Sequence, residues 1–139
     1  MVWDLFEGKH MFQGQDQDGS GYTTRAHLAE VIGILGPPPL DLLKRGLRSG
    51  EWFHEDGQYS SSFCKHLRFV GWFVYLIGKW KADVEIPQDT SLEKSEERLE
   101  EGENKVMFMK FMRSMLQWRP EDRKTAKELF DDPWLNGKV

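Results

Sequence analysis

Asp16, Asp18 and Ser20, with Gly21 and Thr24 behind them, are the residues whose types and spacing come nearest to a chemical site. Counted from Asp16, they fall at positions 1, 3, 5, 6 and 9 of a twelve-residue loop. An EF-hand uses those positions to offer oxygen ligands to Ca²⁺ and a glycine for the sharp turn. The twelfth position of such a loop calls for a bidentate glutamate, and here it is His27, while the apolar eighth position is Thr23. Asp16, Asp18 and Ser20 are therefore metal ligands only in a reduced form of that motif. An Asp/Gly turn ahead of a capped helix uses the same residues without a metal. Both readings stand at this point.

The remaining chemistry-bearing residues assemble no site. His10, His27, His54 and His66 show no metal-ligand spacing. Cys64 lies beside Lys65 and His66, a setting that could lower a thiol pKa, but no triad partner accompanies it. No G-x-S-x-G, H-E-x-x-H or phosphate-binding G-x-x-x-x-G-K-[ST] occurs. The sequence therefore offers no catalytic residue and no cofactor-binding residue.

The elements around these residues read as helices joined by long loops, a mainly α fold. Val2, Trp3 and Phe6 mark one face of the last turns of a helix that Gly8 stops, so the chain starts inside an element and reads as truncated. Thr24 can cap a helix with an apolar stripe at Leu28, Val31, Ile32 and Leu35, which Gly36 and three prolines end. Phe108, Phe111, Met112, Met115 and Leu116 form a second stripe, broken at Pro120. Thr125 and Glu128 have capping-box spacing, with Ala126, Leu129 and Phe130 as the buried side of that short helix. Trp3, Trp118 and Trp134 read as packing anchors.

Composition bounds the rest. One chain of 139 residues with 39% hydrophobic content and a net charge of −4 suits a single modest globular domain. Residues 83–104 hold nine acids against Lys94 and Arg98, a local net of −7 with little apolar face, and read as a solvated segment. No basic stripe supports nucleic-acid binding, and no apolar run approaches the ~20 residues of a membrane span. The single cysteine excludes an internal disulfide. An intracellular protein of the cytoplasm or nucleus is expected. Residues 59–79 differ in character from their surroundings, with a serine cluster and then "FVGWFVYLIG".

Residues 111–135 carry the most specific pattern: Leu116, Pro120, Arg123, Thr125-Ala126, Glu128-Leu129 and Pro133-Trp134-Leu135. It resembles the closing helices of the eukaryotic protein-kinase large lobe, where the order is L-x-x-x-P-x-x-R-x-T-A-x-E-L-x-x-H-P-W-L. "WDLFEGKHMF" and "HLAEVIGILGPPP" are similar to helices F and G of that lobe. The exit "LGPPP" resembles the CMGC group and, within it, fungal SR-protein kinases.

The resemblance implies that residues 1–139 are part of a kinase domain, interrupted by an insertion at 59–79. It implies a parent that uses ATP and Mg²⁺ to phosphorylate Ser or Thr. The glycine-rich loop, the phosphate-pairing lysine, H-R-D, D-F-G and A-P-E are all absent from these residues, so no activity is expected of the chain alone. Arg123 matches an arginine that pairs with the glutamate of A-P-E in the family. Here it must face solvent, find Asp122 or Glu128, or destabilise the fold. Helix G implies docking of a protein partner, for which Glu30 is the one acid available, alongside the acidic segment. The rival readings are a small calcium-binding protein and a non-enzymatic interaction module.

Overall fold

The computed structural model describes residues 2–53 and 80–137. Seven α-helices are present among them: α1 Val2–Glu7, α2 Thr24–Leu35, α3 Leu40–Arg45, α4 Ser49–Trp52, α5 Leu92–Ser95, α6 Glu103–Met115 and α7 Ala126–Phe130. A 3-10 turn at Pro120–Asp122 precedes α7. The described residues contain no strand, only isolated antiparallel bridges at Gln15–Tyr22 and Phe53–Trp80. The mainly α expectation holds. The chain divides into two compact units, residues 1–13 with 88–139 and residues 14–87.

In the first unit the core is aromatic. The α6 stripe buries Phe108, Met109, Phe111 and Met112, as helical spacing of apolar residues requires. Phe108 is 0% exposed. Trp3 stacks on it at 6.1 Å between ring centroids, Phe6 lies at 4.5 Å and Trp134 at 4.8 Å. Trp134 also meets Phe111 at 5.0 Å and the edge of Phe6 at 5.8 Å. Gly8 ends α1 with φ of 71°, a left-handed value that favours glycine, and its N–H returns to the Asp4 carbonyl at 3.0 Å. Of the face expected for α1, Trp3 and Phe6 pack inward and Val2 does not. Trp3 and Glu7 point inward, whereas Val2 is exposed and Leu5 almost wholly so.

In the second unit the cap of α2 lies one residue earlier than the expected Thr24. Thr23, in extended conformation, is the N-cap and accepts from the Ala26 N–H. Gly36, at φ of 77°, closes the helix ahead of the prolines. The most buried residues of α2 are Ala26, Ala29 and Ile32; Leu28, Val31 and Leu35 are only half-buried. Small side chains win that face because Val84, Trp80 and Ile86 pack directly on Ala26 and Ala29. Phe53 and Trp80 meet edge to face at 5.5 Å, and the Lys81 N–H donates to the Trp52 carbonyl at 3.0 Å. The expected insertion at 59–79, with Cys64, His66 and Trp72, lies outside the described residues, as does His54.

Phe108→Ala should remove about 3–5 kcal/mol, a large part of the roughly 5–15 kcal/mol that holds a small domain. Urea denaturation followed by circular dichroism should show the helical signal of this variant lost at much lower denaturant than in the wild type. An unchanged midpoint would mean that the ring does not centre the core.

Candidate functional site

The residues that carry the kinase-like pattern lie together in the first unit, at the end of α6 and around α7. Leu116 caps α6 and Pro120 opens the 3-10 turn, where its missing N–H is of no consequence. The Thr125 hydroxyl accepts from the Glu128 N–H, while the Glu128 carboxylate accepts from the Thr125 N–H at 2.8 Å. This reciprocal box satisfies backbone donors that the first turn of a helix otherwise leaves orphaned. Those hydrogen bonds hold the Glu128 carboxyl below the usual carboxylate range.

Arg123 is exposed, and its Nε donates to the Gln117 carbonyl at 2.8 Å. Of the two acids considered for it, Asp122 stands 3.7 Å from Arg119 and Glu128 is occupied by the capping box. Arg123 has thus taken the solvent-facing course, which avoids the penalty of a buried unpaired charge. The buried side expected for α7 is not formed: Ala126 is exposed, Phe130 is 74% exposed and only Leu129 is half-buried. Pro133 and Trp134 do fix the end of the motif. Trp134 turns into the aromatic core and donates its indole N–H to Asn104 on α6 at 3.1 Å.

Asp132 stands where the family pattern has histidine. It is buried, accepts from Lys124 Nζ at 2.9 Å and from the Trp134 N–H at 3.1 Å. The Lys124 ammonium, first among several causes, holds its carboxyl below the ordinary value. Lys124 is positioned by its own N–H, which donates to the Ser114 carbonyl on α6. An acid in place of histidine is therefore matched by a nearby cation.

The loop that could have taken calcium is closed by Arg25. Its Nε meets Asp16 at 2.5 Å and its Nη2 meets Asp18 at 2.6 Å. Thr23 Oγ1 donates to Asp16 Oδ2 and the Ser20 N–H to Asp18 Oδ1. Arg25, first among the causes, holds the Asp16 carboxyl below its ordinary value. The oxygens that a cation would need already face a guanidinium, and Ser20 contributes its backbone rather than a ligand. The described residues contain no cluster of His, Cys, Asp and Glu suited to a metal. Glu30 is also engaged internally, accepting from the Gly14 N–H at 2.9 Å.

Glu96 is a buried charged position that spacing did not reveal. Most acids of residues 83–104 are exposed, but Glu96 is 4% exposed. Its Oε1 accepts from the Arg98 and Leu99 N–H groups, and Oε2 stands 3.0 Å from Lys105 Nζ. The one signal available was its position four residues after Leu92, another inward-facing member of the segment.

A serine/threonine protein kinase of Aspergillus fumigatus is 43% identical over 136 residues, which are 97% of this chain and 28% of that protein. The chain matches one segment of the serine/threonine protein kinases. Further kinase relatives are more distant. Serine/threonine-protein kinase SRPK of Physarum polycephalum is 27% identical, across 97% of this chain and 27% of its own length. Human SRSF protein kinase 3 is 25% identical, across 98% of this chain and 20% of its own length. A Drosophila melanogaster homolog of a dual specificity tyrosine-phosphorylation-regulated kinase matches similarly, which places the likeness in the CMGC kinases. The chain spans 28% or less of the length of each relative named. No family model matches it.

Lys124→Ala should destabilise the kinase segment by about 1 kcal/mol, the low end for a buried acceptor losing its donor, because Lys124 is itself 39% exposed. The folded Asp132 carboxyl titrates below its ordinary 3.8, so this contribution is present above that pH and is lost as pH falls through the folded value. Thermal melts of both proteins should differ at neutral pH and converge in strong acid. A difference that grows in acid would reject the pairing.

Proposed function

We propose that this chain is a non-catalytic segment of a CMGC-type serine/threonine protein kinase, similar in kind to SR-protein kinases. The parent reaction is ATP- and Mg²⁺-dependent phosphoryl transfer to protein serine or threonine. One observation carries the reading: 97% of the chain matches 28% of a kinase, and no phosphate-binding or catalytic motif lies within its 139 residues. Phosphoryl transfer is catalysed by positioned charges and metal ions around the γ-phosphate. A segment with none of those groups has nothing to orient the nucleophile or neutralise the developing charge. Its Pro120, Arg123, Thr125, Glu128, Pro133 and Trp134 act in packing and capping instead.

As a binding module the segment has its exposed acids to offer a basic protein partner. Glu30 is a poorer candidate because its carboxylate already anchors Gly14. No helix among the described residues is long and apolar enough to cross a membrane. An intracellular setting follows from the kinase reading.

The same reading makes residues 59–79 an insertion. The antiparallel bridge between Phe53 and Trp80 supports this, because residues 54–58 would suffice as a five-residue hairpin connection.

A radiolabelled-ATP assay with a serine-rich peptide should give no turnover above the protein-free control, beside an active SR-protein kinase as positive control. Turnover that survives repurification would reject the proposal. Deleting residues 59–79 should leave the helical circular dichroism and melting temperature unchanged or improved. Loss of the folded signal would show that those residues belong to the fold.

A further inference from the structure

Residues 91–101 cross the first unit held almost entirely by polar ties. Glu93 is clasped by the Arg113 guanidinium of α6, with Nε at 3.1 Å. Glu96 and Glu101 share Lys105, at 3.0 Å and 2.8 Å. Glu97 pairs with Lys9 at 2.7 Å, and Arg98 Nε donates to the Glu7 carbonyl at 3.2 Å, the C-terminal end of α1. Against these ties stands one fully buried apolar side chain, Leu92, with Leu99 half-buried. The only helix in the stretch, α5, has four residues, too few to persist without its contacts.

Glu93 and Glu101 also wall a groove of about 490 Å³ whose other side is α6, through Lys105, Val106, Met109 and Arg113. Val106 is 67% exposed and Met109 7%. We propose that residues 91–101 form an ionic strap that opens locally, as a unit, while α6 stays folded. Sub-global opening belongs to elements with few buried apolar contacts and many exposed polar ones. The Lys9–Glu97 and Arg113–Glu93 pairs are substantially exposed, where salt screens them. Glu96, with 0% of its side chain exposed, is the tie that salt reaches least.

Amide hydrogen exchange on the full chain tests this. The reporters are Ser95, Glu96, Arg98 and Leu99, whose N–H groups bond within the strap, compared with Phe111 and Met112 inside α6. Raising salt from about 0.05 M to about 1 M cuts the Debye length to ~3 Å. The four strap amides should then exchange about tenfold faster as the surface pairs weaken, and the α6 amides should lag behind. Glu96→Gln should produce the same pattern at low salt. Lys9→Gln, which alters only a surface pair, should produce a smaller version of it should Glu96→Gln fail to fold. Strap amides that move in step with α6, or respond to neither salt nor Lys9→Gln, overturn the proposal.

Discussion

The Phe108 ring is the constraint on which the first unit depends. Trp3, Phe6 and Trp134 meet on it although they come from regions far apart in the sequence. Helices of six and five residues, as α1 and α7 are, lack the length to persist in isolation. What holds α1 is burial of its aromatic side chains against α6, with each ring pair adding about 0.5–1.5 kcal/mol beyond area burial. The Asp-Pro-Trp ending follows from the same requirement. Asp132 receives the Trp134 N–H and Lys124, and the turn so fixed delivers the indole to the cluster.

This gives the kinase-like motif a physical meaning in the present chain. Its residues cap, turn and pack. Arg123 illustrates the division. In the family pattern it is half of an ion pair, and here it is exposed and bonded to a backbone carbonyl. The α7 face carrying Phe130 is likewise open. The parts of the pattern that depend on local sequence are formed, while Arg123 and Phe130 face solvent.

That distinction also explains what the sequence made legible. The Thr125–Glu128 box, the Gly36 stop and the α6 stripe are local, set by spacing over a few residues, and each is found as read. Burial decided from a distance was not legible. Ala26 and Ala29 are core because Val84 and Trp80 pack on them, and no periodicity within α2 announces that. Glu96 looked like one more acid in a solvated run until the turn at 96–99 folded its own N–H groups and Lys105 around it. The Asp16–Asp18 loop presented calcium spacing, but Arg25, the second residue of the helix that follows, supplies the positive charge. The Thr23 cap differs from Thr24 by a single residue because capping follows backbone angles that side-chain identity does not distinguish.

Trp134 locks α1 onto α6 through the aromatic cluster. The most direct measurement is the amide exchange of Gly8, whose N–H closes α1 on the Asp4 carbonyl, in the full chain carrying Trp134→Ala. Gly8 should lose its protection in that variant, because removing the indole loosens the packing that keeps α1 helical. If Gly8 exchanges as slowly as in the wild type, α1 is held by something other than this cluster and the account is wrong.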